Sequence, residues 1–435
     1  MPFYDYSHSD YRRLQKTDWQ SWSDKDLADF LVEDPFAVAA SQSVSAEDMK
    51  NAFLRGQESL NSKYNRTRKI FKVLDKILLS LFIVTKSKGK KNILFQNAKY
   101  PAIILETKKH YHVGLITQAT KDRLFALRHL MGYVAADDLY KFVCDYLKTK
   151  DVKHLHNLVK KVEEKLKKTN PDYVVLWDDG LPAGRAMALA CKKLGITSLV
   201  IQQGMYDSYF SCFYDFVCDY DLLWGNYFKN LLCEKYKARK PEDTFVSGYP
   251  YPMRVEKSVN NTPKTVCYIG QDYERIDTNL LKAKLDTVPR VAEICKNLGL
   301  DFLYRPHPGD NRQMLSERMP EVKFTNPQEK LEETFAKSDV FIAFSSTALI
   351  EAAMRNKVSL QLMTYPIEFD NFEELGICSK TLKDVQELEN YLSNVVSVGR
   401  LGKFRPKFNN NYIETRKSPG ERFLEVMKEI ETKSK

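Results

Sequence analysis

The sequence predicts an α/β protein of two Rossmann-like lobes with a cleft between them, preceded by a helical N-terminal extension. Three observations predict it. From Lys91 onward, short apolar runs alternate with helical patterns, as β/α units with parallel strands require. Near the middle, "TFVSGYPYPMR" (Thr244 to Arg254) has the Gly and Pro density of a linker. The length, 435 residues, exceeds what one ordinary core accommodates. The predicted segments are a helical extension over 1–90, a first lobe over 91–250, a second over 251–410, and a C-terminal segment with a final helix over 411–435.

In order, the extension ends in "KIFKVLDKILLSLFIVTKSKGKK", an apolar stretch bracketed by lysines. It reads either as a helix packed on the body or as an interfacial anchor on an anionic membrane. "NILFQ" and "VGLIT" are strands around the helix "KYPAIILETKKH", and Phe142 to Thr169 is a lysine-rich helical run leading to the strand "DYVVLW". Pro182 is placed to start a helix, Ala183, Ala186, Met187, Ala190 and Leu194 recur at helical spacing, and Gly195 offers a stop before the strand "ITSLVIQ". "YDLLWG" is a further strand. The second series runs "TVCYIGQ" (strand), Val288 to Leu298 (helix), "DFLYRPHPGD" (strand and loop), Leu331 to Lys337 (helix), "DVFIAF" (strand) and "SSTALIEAAMRN" (helix). The last helix starts at Pro419 with Ser418 as cap and runs to about Lys433, with Phe423, Val426 and Ile430 on one face for docking.

Composition narrows the function classes. Hydrophobic residues at 43% and charged residues at 29% describe a folded globular protein. A net charge of +10 suits an anionic partner: phosphate groups, nucleotides, acidic polysaccharide, lipid head groups or nucleic acid. The eight cysteines form no C-x-x-C, so a zinc site and a disulfide framework lose support and a reducing cytoplasm is expected. The N-terminus "MPFYDYSHSDYRR" lacks a secretory pattern, and "ILLSLFIV" is far short of the roughly 20 residues that span a bilayer. G-x-G-x-x-G, G-x-x-x-x-G-K-[ST] and H-E-x-x-H are absent, which removes the main support for dinucleotide oxidoreductase, ATPase and zinc-protease readings. No nucleic-acid-binding motif accompanies the positive charge.

Three stretches carry chemistry. Asp178-Asp179-Gly180 follows a strand, where open parallel sheets bind ligands. Neighbouring carboxylates push one pKa up, which prepares a base; Asp178 is the expected base and Asp179 the helix cap or support. In "YRPHPGD", two prolines hold His307 at another strand end, where it can donate to a phosphate oxygen or protonate a leaving group. Ser345 and Ser346 lie between a strand and a helix, where a capping hydroxyl and the helix's unpaired amides make an anion seat. Asp219-Tyr220-Asp221 matches the D-x-D of metal-dependent sugar transferases, but such short matches are common, and no metal is expected.

Taken together and in order, Asp178-Asp179-Gly180, His307-Pro308 and Ser345-Ser346 resemble the D/E-D/E-G, HP and serine motifs of bacterial sialyltransferases. More broadly they resemble the two-lobed GT-B transferases of capsule and lipopolysaccharide. "YRPHPGD" and "FSSTALIEAAMRNK" are similar to segments of Kdo and teichoic-acid glycerophosphate transferases. The resemblance covers roughly residues 90 to 400. It implies a GT-B glycosyltransferase with Asp178 as base on an acceptor hydroxyl, or alternatively an Asp nucleophile in a retaining version. It also implies a donor site of Gly270, Gln271, Arg305, His307, Pro308, Ser345, Ser346, Thr347 and Glu351, the last on the ribose. Gln203 and Gly204 fall on the acceptor side, although "QQG" departs from the turns usual in related capsule enzymes. The implied partners are a nucleotide-sugar donor, foremost a CMP-linked acidic sugar, and a glycan or glycolipid acceptor, with an anionic membrane surface and without nucleic acid or cofactor. CDP-glycerol or UDP-sugar transfer, a nucleotide-sugar 2-epimerase and a non-catalytic binding protein are the alternatives. The cysteine pattern gives the expected cytoplasmic location, and the anchor alternative for the lysine-bracketed stretch would make it peripheral on the inner face of the cytoplasmic membrane.

Overall fold

The computed structural model describes residues 21–34, isolated positions between 47 and 79, and 89–117, 119–136, 139–206, 217–253, 262–271, 278–365 and 368–433. Most of the expected lysine-bracketed helix before Lys91 lies outside the described residues. Among the described residues no helix is long and apolar enough to cross a membrane.

The first lobe is a seven-stranded parallel sheet of order β3-β2-β1-β4-β5-β6-β7. Its strands are β1 Asn92–Phe95, β2 His112–Thr117, β3 Gly132–Ala135, β4 Tyr173–Leu176, β5 Thr197–Ile201, β6 Tyr220–Leu223 and β7 Thr244–Val246. They are apolar on both faces because helices cover both. Ile93, Phe95, Val113, Leu115, Val175 and Ile201 share one cluster, while Leu94, Ile116, Val174, Leu176 and Val200 share the other, the alternation that a pleated strand imposes. The segment read as a linker thus begins with an edge strand: Leu222 pairs with Phe245.

Helices α1 Pro101–His110, α2 Thr120–Arg128, α3 Leu139–Thr149, α4 Lys153–Thr169 and α5 Pro182–Leu194 pack around that sheet. The expected lysine-rich run is therefore two helices, broken where Lys150 turns to φ 57°. On α5 the sequence signals hold: Pro182 opens the helix and Gly195, at φ 65°, ends it in the left-handed region.

The second lobe is a five-stranded parallel sheet of order β12-β11-β10-β8-β9, with β8 Thr265–Ile269, β9 Asp301–Arg305, β10 Val340–Ala343, β11 Val358–Leu362 and β12 Lys380–Leu382. Helix α6, Thr278–Asn297, starts ten residues before the expected Val288 and carries Pro289 in its interior. Helices α7 Leu331–Lys337, α8 Thr347–Met354 and α9 Val385–Val398 complete the layers that bear on the site.

The chain then returns to the first lobe. Helix α10, Pro419–Lys433, buries Phe423, Val426, Met427 and Ile430 in the same cluster as Ile93 and Phe95. At roughly 1.5–3 kcal/mol for each fully buried apolar side chain, this stripe fastens the terminus to the first sheet. Between the lobes, Tyr206, Leu223, Trp224 and Tyr249 pack with Ile269, Ala343, Leu349 and Ile350, so the carboxyl ends of both sheets meet at one shared core.

Candidate active site

In each sheet the strand order reverses at one point. In the first lobe the chain runs outward from β1 to β3 on one side and from β4 to β7 on the other, so the switch lies between β1 and β4. In the second it lies between β8 and β10. In open α/β sheets the loops diverge at such a point, and the crevice beyond the strand ends is the usual ligand position. The Asp178 turn follows β4, Gln271 follows β8, and Ser345 follows β10.

At the first switch point, Asp178 Oδ1 accepts from the amides of Gly180 (2.8 Å) and Leu181 (3.2 Å). Burial pushes its pKa up; those amides, Lys99 and Arg185 act against the rise. Of the two roles expected for Asp179, helix cap or support, the cap is not formed. Asp179 Oδ2 accepts from the amides of Val217 (2.8 Å) and Cys218 (3.3 Å), and burial, with Asp178 beside it, raises its pKa to about 6. The turn-closing contact therefore belongs to Asp178, and the N-cap position of α5, Leu181, carries no side-chain cap. Helix α5 approaches so closely that a Cβ on Gly184 would lie 2.1 Å from the Asp178 carbonyl oxygen. Only glycine permits this contact.

One neighbour carried no sequence signal. Lys99, in the loop after β1, holds its ammonium 4.3 Å from the Trp177 ring centroid, and burial lowers its pKa to about 8, with Lys121 adding to the effect and Asp178 opposing it. The expected acceptor-side residues Gln203 and Gly204 lie in the turn after β5. Gln202, not Gln203, organises that turn: its Nε2 donates to the Gly204 carbonyl (2.8 Å) and its Oε1 accepts from the Trp224 amide (2.8 Å).

At the second switch point two of the expected residues, Gln271 and Ser345, come together. Gln271 Oε1 accepts from the Ser345 amide (2.9 Å), and its Nε2 donates to Ser345 Oγ (2.8 Å). Ser346 is the N-cap of α8, accepting from the Ala348 amide (3.2 Å). Ser346 also takes the Leu349 amide through its carbonyl (2.9 Å), and the Thr347 amide opens the helix at the positive end of its dipole.

The His307 loop is tied from below. Asp310, paired with the fully buried Lys284 at 3.0 Å, accepts from the His307 amide (2.8 Å) and the Tyr304 hydroxyl (3.4 Å). A Cβ on Gly270 would lie 2.4 Å from that hydroxyl, which explains the glycine at the end of β8. The His307 Nδ1 accepts from the Gly309 amide (3.1 Å), so a neutral ring carries its proton on Nε2, a donor on an exposed loop beside Pro308. Lys284 and Asp310 escaped sequence reasoning because they lie 26 positions apart.

Two expected donor contacts are occupied within the protein. Arg305 donates to Thr334 Oγ1 (2.7 Å) and the Glu329 carbonyl (3.2 Å) on the α7 side. Glu351 accepts from Tyr249 across the lobe boundary and pairs with Arg355 at 3.4 Å; burial raises its pKa while both partners oppose the rise. Asp219 is taken by the Ser198 amide and hydroxyl (2.8 Å each), and Asp221 by buried Arg239, so the D-x-D carboxylates serve the first lobe's interior. Among the described residues no group of three or more His, Cys, Asp or Glu side chains is arranged for a metal.

The sequence matches no protein-family model and no curated protein. Solved structures do match. The UDP-GlcNAc 2-epimerase of Methanocaldococcus jannaschii is 15% identical over 78% of this chain and 99% of that one, with a TM-score of 0.51. The fold is of the GT-B type. The S. aureus MnaA-UDP structure (13% identity, 79% and 97% coverage, TM-score 0.53) and a glycosyltransferase from Rickettsia africae (14%, 79% and 99%, 0.51) share the same two lobes.

Proposed function

We propose that the protein is a nucleotide-sugar glycosyltransferase that uses a UDP-linked donor and a glycan or glycolipid acceptor of the bacterial surface. The observation that carries it is the pair of switch-point sites, a carboxylate at one and an anion seat at the other, on lobes whose carboxyl ends meet. The donor assignment departs from the CMP-linked acidic sugar favoured on sequence. That expectation finds no support among the neighbours, and the uridine alternative is supported by the UDP-bound MnaA structure.

In this reading the acceptor hydroxyl gives its proton to Asp178, whose raised pKa makes it a better base than an ordinary carboxylate. The acceptor oxygen forms a bond to the anomeric carbon as the bond from that carbon to the UDP oxygen breaks. The departing diphosphate's charge is met by the opening amides of α8, by Ser346 and by the His307 Nε2–H. No resident metal enters these steps, so dialysis against EDTA leaves the rate unchanged. A membrane-peripheral position on the cytoplasmic face would bring the acceptor to Asp178.

A second reading, epimerisation of a UDP-sugar without an acceptor, is supported by neighbours named as UDP-GlcNAc 2-epimerases. The test is thermal stabilisation by UDP, CDP, CMP and GDP on wild type and His307→Ala, followed by product analysis with a UDP-sugar. Stabilisation by UDP, reduced in His307→Ala, supports the uridine site; sugar recovered on an acceptor supports transfer. A C2 epimer still bound to UDP supports the second reading, and no response to any of the four nucleotides overturns both.

A further inference from the structure

Lys99 is a partly buried ammonium in the loop after β1, against the face of Trp177, and the residue after that tryptophan is Asp178. An ammonium has three N–H donors, and an aromatic face attracts the charge without replacing conventional acceptors. Among the described residues no carboxylate or carbonyl accepts from Lys99 Nζ. Asp178 does not: its hydrogen bonds come from the Gly180 and Leu181 amides. Lys121, exposed in the first turn of α2 after β2, likewise has no ion-pair partner among the described residues.

Burial is the main cause of the lowered Lys99 pKa, and the Lys121 charge adds a smaller push in the same direction, which a bound anion would offset. The place of the two cations, at the carboxyl ends of adjacent strands beside the proposed base, is where an acceptor would sit. We propose that Lys99 and Lys121, beside Trp177, form an anion subsite in the first lobe that takes the phosphate or carboxylate of a charged acceptor. The role as acceptor subsite rests on the transferase reading; the anion preference does not.

Isothermal titration of wild type with glucose, glucose 6-phosphate and glucuronate, at saturating UDP, tests it. The expected result is binding of one or both acids about tenfold to a hundredfold tighter than glucose, as a charge-assisted contact allows. That advantage is lost in Lys99→Met and kept in Lys282→Met, which removes an exposed charge from the second lobe. Preference for glucose 6-phosphate points to a phosphorylated acceptor, and preference for glucuronate to an acidic sugar.

The groups facing Lys99 are Asp178 and Lys121, with the Trp177 and Tyr100 rings. As pH rises through about 8, Lys99 loses its proton, so wild-type affinity for the acid falls while Lys99→Arg holds it. That variant keeps the test open if Lys99→Met does not fold. Equal binding of acids and glucose by a protein that binds UDP overturns the subsite and leaves the donor reading standing. Acid preference in a protein that ignores UDP overturns the donor reading alone.

Discussion

The crevice between β1 and β4 and the crevice between β8 and β10 hold equivalent places in their sheets, yet they are furnished differently. At the second, the polar groups are paired before any ligand arrives: Gln271 holds both the amide and the hydroxyl of Ser345, Ser346 caps α8, and Asp310 secures the His307 loop. At the first, desolvated charges dominate, with Asp178 and Asp179 raised and Lys99 lowered. The difference suits the proposed chemistry. A seat for a leaving diphosphate gains from rigidity, whereas a proton acceptor gains from a pKa moved toward neutrality.

The largest way to break this comparison is Asp178→Asn. It keeps an oxygen for the Gly180 and Leu181 amides and removes the base, so kcat falls by about 10²–10⁴ while UDP stabilisation is unchanged. A steady-state assay beside a UDP melting curve reads both numbers. Equal loss of UDP binding would show that the two crevices are not chemically separate.

Next is Gln271→Ala, which removes the side-chain hydrogen bonds to the buried Ser345 amide and hydroxyl. Leaving a buried donor unsatisfied costs about 1–3 kcal/mol, so the melting temperature drops and UDP binds more weakly. Retained UDP affinity in a destabilised protein would mean that the clasp stiffens the lobe without shaping the seat.

Asp179→Asn acts with the opposite sign. Its folded pKa of about 6 stands above the unfolded value, so the folded state is relatively favoured below the unfolded pKa and loses that advantage as pH rises through about 6. At pH 8 the charged, buried carboxylate costs stability. Asparagine keeps an acceptor for the Val217 and Cys218 amides and raises stability by on the order of 2 kcal/mol there, flattening the wild-type decline between about pH 4 and 6. Melting curves across that range check it.

These residues differ in how readable they were. Asp178 and Ser346 announce themselves because each ends an apolar run just before a helical pattern, a local signal. The clasp joins residues 74 positions apart and depends on the β8–β10 pairing. Lys99 looked like any lysine beside an aromatic; its meaning comes from a reversal of strand order that no local pattern encodes. The strand Val358–Leu362 is missing from the expected elements although "VSLQL" has a strand's alternation, and the fold turns its Gln361 inward to bind the Phe372 amide and the Asp370 carbonyl. The cap expected at Asp179 failed for a related reason. Its carboxylate is claimed by Val217 and Cys218, amides 38 and 39 residues away.

The smallest effect is also the one that sharpens the comparison most. Ser346→Ala removes an N-cap and costs about 1 kcal/mol, a loss that a purely structural cap and a phosphate seat predict alike. Ser346→Asp separates them. Aspartate caps at least as well as serine and its charge suits the helix dipole, so stability is kept or rises slightly. The same carboxylate occupies the amides that the proposed diphosphate needs and repels its charge. UDP affinity then falls by about tenfold or more in a protein that melts no earlier than wild type. A cap that only caps leaves UDP affinity where it was, and in that case the anion seat of the second lobe must be sought at His307 instead.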